Sequence, residues 1–288
     1  MMPLLLLLAL SSGAGSSTPS SVAGPTWEKV FDGTAADGWV SSVHAAGRDT
    51  WFAGGKWGVV WAGKGGLQRH ETGGTGVLGL LAEAPDSVFA LGQDELILHF
   101  DGKTWTEEHR GPKPRRSGRG ADLLHSAYRD ATPEAPLVAF GPWLVLVRQQ
   151  DGRWTLPPEK ERKRLSLRGD LGPEIKRPPK CDAAGWRWIG KNKGAFFCHD
   201  RRVFIFDSGA VTAKGVMPRQ CETTIDSLVF ARGEIYTSCA SGTLWKTDGP
   251  NWQRVTPPKG VKEIPSLSVT DDCIFVAGGR AVWRSCAH

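Results

Sequence analysis

The side chains able to do chemistry in this 288-residue chain are few and widely spaced. Six of them are cysteines, Cys181, Cys198, Cys221, Cys239, Cys273 and Cys286, all in the second half. An even count favours disulfides. Zinc is the rival reading, but no two cysteines are separated by the two to four residues of a structural zinc site. A sialidase-type glycosidase would need a tyrosine nucleophile with its base, and arginines gathered for a substrate carboxylate. Only Tyr128 and Tyr236 are available, and Tyr236 beside Ile235 reads as a packed strand aromatic. His199 and Asp200 adjoin, yet neighbours on a strand point to opposite faces, so HDRR reads as a polar hairpin turn. His99, between Leu98 and Phe100, reads as a satisfied sheet histidine. The P-loop, the GxSxG elbow, HExxH and the glycine-rich dinucleotide turn are all absent. The sequence therefore assigns no catalytic residue, no metal ligand and no cofactor.

The formal net charge of +6 is local in origin. RGPKPRRSGR, residues 110–119, holds five basic residues and no acid, and residues 159–180 hold eight basic and four acidic ones. Mixed with proline and glycine, both stretches read as solvated connectors. The functional reading makes Arg115, Arg116, Arg162 and Arg164 contacts for an anionic partner, such as surface polysaccharide or phospholipid headgroups. Nucleic acid is disfavoured, because no stacking aromatics interleave the charges. The tryptophans offer a further possibility. Trp57 with Trp61, and Trp186 with Trp188, are spaced to share a strand face, which suits either core packing or an aromatic platform for sugar.

The elements that must position these residues come in repeats. PDSVFALGQDELILHFDGKTW, from Pro85 to Trp105, holds two short runs of β-formers, a tight Asp101-Gly102 turn, and a tryptophan opening a third run. PLVAFGPWLVLVRQQDGRW ends the same way at Trp154, and GEIYTSCASGTLWKTDGPNW at Trp252. Apolar residues alternate or form short runs, and 36 glycines interrupt them, so helical periodicity is missing and the chain is expected to be all-β. Six repeats of about 40 residues, each with four strands, match the blades of a propeller. A four-stranded sheet cannot cover both its faces alone, so it must stack on its neighbours. The sixth repeat lacks a fourth strand, and an orphan run, Trp27–Phe31, lies near the N-terminus. The expectation is a six-bladed β-propeller of four-stranded antiparallel blades, closed by that N-terminal strand. Ser41, Leu80, Leu124, Ile225 and Leu267 are expected to line its central channel.

The DGxxW element (Asp101–Trp105, Asp248–Trp252) with its preceding β runs resembles the WD40/YVTN or BNR-like propeller repeats of bacterial exported proteins. This covers roughly residues 27–286 and implies the fold alone. HFDGKTW approaches the sialidase-type Asp-box without meeting it, since no residue separates its Asp from its Gly.

Ahead of the repeats, Met1–Leu10 is leucine-rich and SSGAGSSTPSSVAG follows. Residues 1–24 read as an export signal or a disordered leader: the apolar block is too short to span a bilayer, and small residues surround Ala14 and Ala23 where a peptidase could cut. No lysine or arginine precedes the block, and no cysteine offers a lipid anchor. Residues 27–288 are then one domain, secreted, periplasmic or on the cell surface. In that oxidising setting the repeat register pairs Cys273 with Cys286, Cys221 with Cys239 and Cys181 with Cys198, through turns at Gly279-Arg280 and Ala231-Arg232 in the first two cases. The function expected is a non-catalytic binding or scaffold module for a protein or polysaccharide, without a transmembrane span. The alternative is a carbohydrate-active hydrolase or lyase with carboxylates at the channel mouth.

Overall fold

The computed structural model describes residues 25–288 apart from 64, 112–122, 129–135, 142–143, 161, 163–182, 191–192, 199, 208–209, 222–224, 240, 248 and 288. The leader, residues 1–24, lies outside the described residues.

Twenty-four strands form six antiparallel sheets of four. After β1 (Glu28–Asp32), blade one holds β2 (Val40–Ala45), β3 (Trp51–Gly55), β4 (Gly58–Gly63) and β5 (Gly66–Glu71). Blade two holds β6 (Val77–Ala84), β7 (Ser87–Gly92), β8 (Ile97–Phe100) and β9 (Trp105–His109). Blade three is the shortest: β10 (Ser126–Tyr128), β11 (Val138–Phe140), β12 (Val145–Arg148) and β13 (Trp154–Thr155). Blade four holds β14 (Ala183–Gly190), β15 (Lys193–Cys198), β16 (Arg202–Asp207) and β17 (Ala210–Val216). Blade five holds β18 (Ile225–Ala231), β19 (Glu234–Cys239), β20 (Thr243–Thr247) and β21 (Gln253–Val255). β22 (Ser266–Val269), β23 (Cys273–Gly278) and β24 (Ala281–Cys286) make the last sheet, whose fourth place is taken by β1. Glu28 pairs with Arg284 and Asp32 with Ala281 in that ladder. The first strand of each sheet adjoins the first strands of both neighbours, in the cycle β2, β6, β10, β14, β18, β22 and back to β2. The six sheets therefore form a ring with their first strands innermost.

The DGxxW element works locally. Asp101 accepts the N–H groups of Lys103 and Thr104 at 2.9 and 2.8 Å, while Gly102 takes φ +89°. That turn needs an Asx acceptor followed by a residue free to enter the left-handed region. Asp151 and Gly152 repeat it before Trp154. The tryptophan then enters the interface with the preceding blade. Trp105 packs with Phe52, Val59 and Trp61 of blade one, and Trp154 with Phe89 and Ile97 of blade two. At roughly 25 cal/mol per Å2 of apolar area, these buried aromatics are the main adhesive between blades.

Three expectations need correction. Trp57 and Trp61 do not share a face: Trp57 packs between the last and first blades, Trp61 between blades one and two. Trp57 lies in the β3–β4 turn, ahead of the strand that carries Trp61, so strand alternation does not relate the two. Gly58 between them takes φ +133° against the backbone carbonyl of His70, where a Cβ would collide. Leu124 and Leu267 are fully buried in clusters between blades and do not line a channel. The hairpin turn in blade five is Arg232-Gly233 in place of Ala231-Arg232, because Ala231 pairs with Glu234 and both turn residues have positive φ, +54° and +74°.

Among the described residues, disulfides join Cys221 to Cys239 and Cys273 to Cys286. The second joins directly paired residues, and Gly279-Arg280 is the turn between their strands. Cys221 lies ahead of β18, in a short 3-10 turn, rather than within the strand. Cys198 is disulfide-bonded. Its expected partner, Cys181, lies outside the described residues.

Candidate functional site

Among the described residues, three clusters of buried or half-buried charge bear on a site. The first is the seam between blades two and three. Glu108 on β9 accepts Nε and Nη2 of Arg148 at 2.8 and 2.6 Å and the indole N–H of Trp154 at 3.0 Å. His99 Nδ1 lies 3.1 Å away and stacks on Phe89, 4.4 Å between ring centroids. Burial pushes the Glu108 pKa up, but Arg148 and Trp154 outweigh it and hold the carboxyl below its usual range. A carboxylate with so many donors is a structural anchor.

At the second, in blade five, the Tyr236 hydroxyl donates to Glu234, which also accepts Lys246 Nζ at 2.7 Å. The arrangement superficially matches the nucleophile and base of a sialidase. Tyr236, however, is 2 % exposed and packs on Leu244 and Val276, and burial followed by the Glu234 contact raises its pKa to about 12. Its phenolate is strongly disfavoured, so the packed-aromatic reading holds.

The third place is the entry to blade one. Asp37 accepts the Thr34 hydroxyl and N–H at 2.8 and 2.6 Å, and Arg69 Nη1 at 2.7 Å. These bonds, led by that of the Thr34 hydroxyl, depress its pKa. Arg69 in turn lies over the Trp57 ring, 5.0 Å from its centroid.

One surface feature differs from these satisfied clusters. Between blades one and two opens a recess of about 520 Å3. Its floor is aromatic: Phe52, Trp61 and Phe100 lie with centroids 5.3 Å apart for Trp61–Phe100 and 5.8 Å for Phe52–Phe100. Its rim comes from turns, with Thr50 ahead of β3, Gln68 just beyond the β4–β5 turn, Asp86 in the β6–β7 turn and Lys103 in the β8–β9 turn. The side chains of Gln68, Asp86 and Lys103 have no hydrogen-bond or ion-pair partner among the described residues. Sequence reasoning missed this site, because its parts are contributed by four separated segments.

Of the residues singled out from the sequence, Arg162 is exposed on a short helical turn after Pro158. Arg115, Arg116 and Arg164 lie outside the described residues. The strand ends that flank the two basic stretches, His109 with Ser126 and Thr155 with Ala183, lie on the face of the ring opposite the recess. Arg162, the one candidate arginine among the described residues, does not line the recess. Trp186 and Trp188 lie on β14, paired with Phe196 and Gly194. Among the described residues no group of three or more His, Cys, Asp or Glu is arranged to hold a metal, and no helix is long and apolar enough to cross a membrane.

No protein-family model and no curated protein matches the sequence. Solved structures do match the fold. Virginiamycin B lyase from Staphylococcus aureus aligns with TM-score 0.66 at 10 % identity, over 91 % of this chain and 99 % of that one. The WD40 β-propeller domain of Doa1 aligns with TM-score 0.56 at 12 % identity, over 92 % and 97 %. YCF48 bound to D1 peptide aligns with TM-score 0.54 at 12 % identity, over 91 % and 97 %. At such identities the likeness is one of fold, and it places this chain among six-bladed propellers resembling the WD40 type.

Proposed function

We propose that the chain is an exported binding module that holds a protein or polysaccharide partner on the surface of the ring without turning it over. The observation that carries this reading is the recess between blades one and two, where unpaired polar side chains stand over an aromatic floor. Pockets of about 300–1,000 Å3 with an apolar lining and a few polar groups are the usual form of a ligand site. The partly buried carboxylates Glu108 and Glu234 support the same reading, since their partners hold them ionised, the opposite of what a general acid needs. The disulfides support export, because such bonds persist in oxidising compartments. The solved structure of a propeller of similar fold, YCF48, with a bound peptide is a further support of the same kind.

The basic stretches would add a second contact, with Arg115, Arg116, Arg162 and Arg164 meeting an anionic surface on the other face of the ring. The test for the module as a whole is a glycan array together with affinity capture from the native surroundings, using the intact chain. A saturable partner recovered unaltered after incubation is the expected result. Chemical conversion of a captured glycan would overturn the reading in favour of a hydrolase or lyase. For the basic stretches, retention on heparin at low salt is expected, and replacing the four arginines by serine abolishes it.

A further inference from the structure

We propose that the recess between blades one and two is a subsite for one uncharged sugar ring of a glycan. The inference rests on the binding-module reading and names its ligand.

The argument starts from the floor. Phe52 and Phe100 are packed against Trp61 and Trp105 in the interface between the two blades, so the floor is rigid. The little of it that is open belongs to Trp61, 8 % exposed, and Phe100, 5 % exposed. The indole nitrogens of Trp57 and Trp105 are sealed from solvent without a partner. That of Trp61 also lacks a hydrogen-bond partner but is not among the sealed ones, although the residue is 8 % exposed. Trp61 lines the recess, and its indole N–H is taken as a donor held in place beside an apolar floor. A ligand that covers such a group must bring an acceptor, because a buried donor left unpaired forfeits its hydrogen bond to water.

The rim adds complementary chemistry. Asp86 accepts, Lys103 donates, and the Gln68 amide does both. Asp86 and Lys103 come from adjacent turns of blade two, where Gly102 lies against Asp86, and their opposite charges leave the rim with no net charge to favour an ionic ligand. A ligand that is flat and apolar on one side, carries groups that both donate and accept around its edge, and is uncharged overall matches every part. A pyranose ring is such a ligand: its C–H face covers an aromatic surface while its hydroxyls bridge carboxylate, ammonium, amide and indole.

The test uses the intact disulfide-bonded chain, with indole nitrogens labelled for NMR, titrated with maltotriose, cellotriose, mannotriose and chitotriose. Saturable movement of the Trp61 indole signal with at least one of the four is expected. Asp86→Ala and Gln68→Ala, both exposed turn or edge substitutions, are expected to weaken that binding about tenfold or more. Trp61→Phe, which keeps an aromatic floor and removes only the donor, should weaken it roughly three- to tenfold. No saturable response with any of the four sugars would overturn the assignment, as would saccharide binding unchanged by Asp86→Ala and Gln68→Ala. A protein partner found by capture alongside empty titrations would sink the sugar subsite while leaving the binding-module reading standing.

Discussion

The hydroxyl of Ser268 accepts the N–H of Ala45 at 3.0 Å, joining the first strand of the last blade to that of the first. The bond is one of a series on the inner ring. Ser266 accepts from Val43 at 3.1 Å, Ser227 of blade five accepts from Leu267 at 3.3 Å, and Ser41 donates to the Val77 carbonyl of blade two at 2.5 Å. The physical need is plain. The first strand of each blade is an edge strand, and its outward N–H and C=O groups find no ladder partner, yet the ring encloses them. Serine hydroxyls from the neighbouring blade supply what the missing ladder would.

Ser268→Ala should therefore destabilise by about 1–3 kcal/mol, the cost of an orphaned buried N–H, while Ser268→Thr restores most of it. Ser266→Ala should have a smaller effect, because Ser266 is only partly buried whereas Ser268 is buried. Urea unfolding midpoints of the three variants decide the matter. An unchanged midpoint in Ser268→Ala would mean that water replaces the hydroxyl and that the seam is open.

The blades were legible in the sequence because the element that defines them is local. Asp101, Gly102 and Trp105 lie within five positions, and each does its work through its own backbone or the adjacent interface. The Gly279-Arg280 turn was legible for the same reason, and with it the Cys273–Cys286 register. The rest depended on single residues whose effect is not periodic. Trp57 lies in the turn ahead of the strand that carries Trp61, so the two enter different interfaces, although their spacing suggests a shared face. Gly233 moves the blade-five turn by one residue. The recess draws on residues from Thr50 to Lys103, and no motif joins them, because they meet only when two blades dock. Gly79 records that docking in another way: a side chain there would strike the backbone of His125 in blade three.

Acid should loosen the ring in two separable stages. The His44 pKa is lowered from 6.5 to about 4, chiefly by burial, with the hydrogen bond to the Leu80 backbone acting the other way. The unfolded chain therefore takes up a proton between pH 6.5 and about 4 that the folded chain refuses, and stability falls with pH in that window. The slope is at most about 1.4 kcal/mol per pH unit from this one group. His44→Gln keeps a donor for Leu80 and should flatten the thermal midpoint across the window. If the variant and the parent lose stability in parallel from pH 6.5 to 4, the histidine is not responsible.

Glu108 acts below that window. Its folded pKa lies beneath the reference value of 4.5, so its pairing with Arg148 is fully present above that pH and is lost as pH falls through the lowered value. Glu108→Gln should cost about 1–3 kcal/mol at neutral pH, since Arg148 is left with a neutral partner in a half-buried seam, and the variant should lose less on acidification below pH 4.5. The double variant Glu108→Gln with Arg148→Met removes both charges and should recover part of the loss. A single variant as stable as the parent at pH 7 would show that the bidentate pair only offsets its own desolvation.

The N-terminal strand provides the last prediction. Arg284 of β24 holds Glu28 of β1 at 2.7 Å and Asp49 of blade one at 2.8 Å. Both carboxylates are largely exposed, so the ion pairs themselves should be worth under about 1 kcal/mol. What β1 contributes lies elsewhere: its ladder with β24, the Gly33 N–H donated to the Arg280 carbonyl at 2.9 Å, and Phe31 packed 5.9 Å from Trp57 and 6.5 Å from Trp51. Glu28→Ala should accordingly leave the thermal midpoint within a degree or two. Phe31→Ala should lower it clearly, by the roughly 1–3 kcal/mol of a partly buried aromatic. A chain beginning at Asp37 should do worse than either, because β24 becomes an unprotected edge and invites pairing with other molecules. Sedimentation velocity and thermal melts separate these outcomes. A truncated chain that stays monomeric and melts with the parent would show that the last blade needs only three strands.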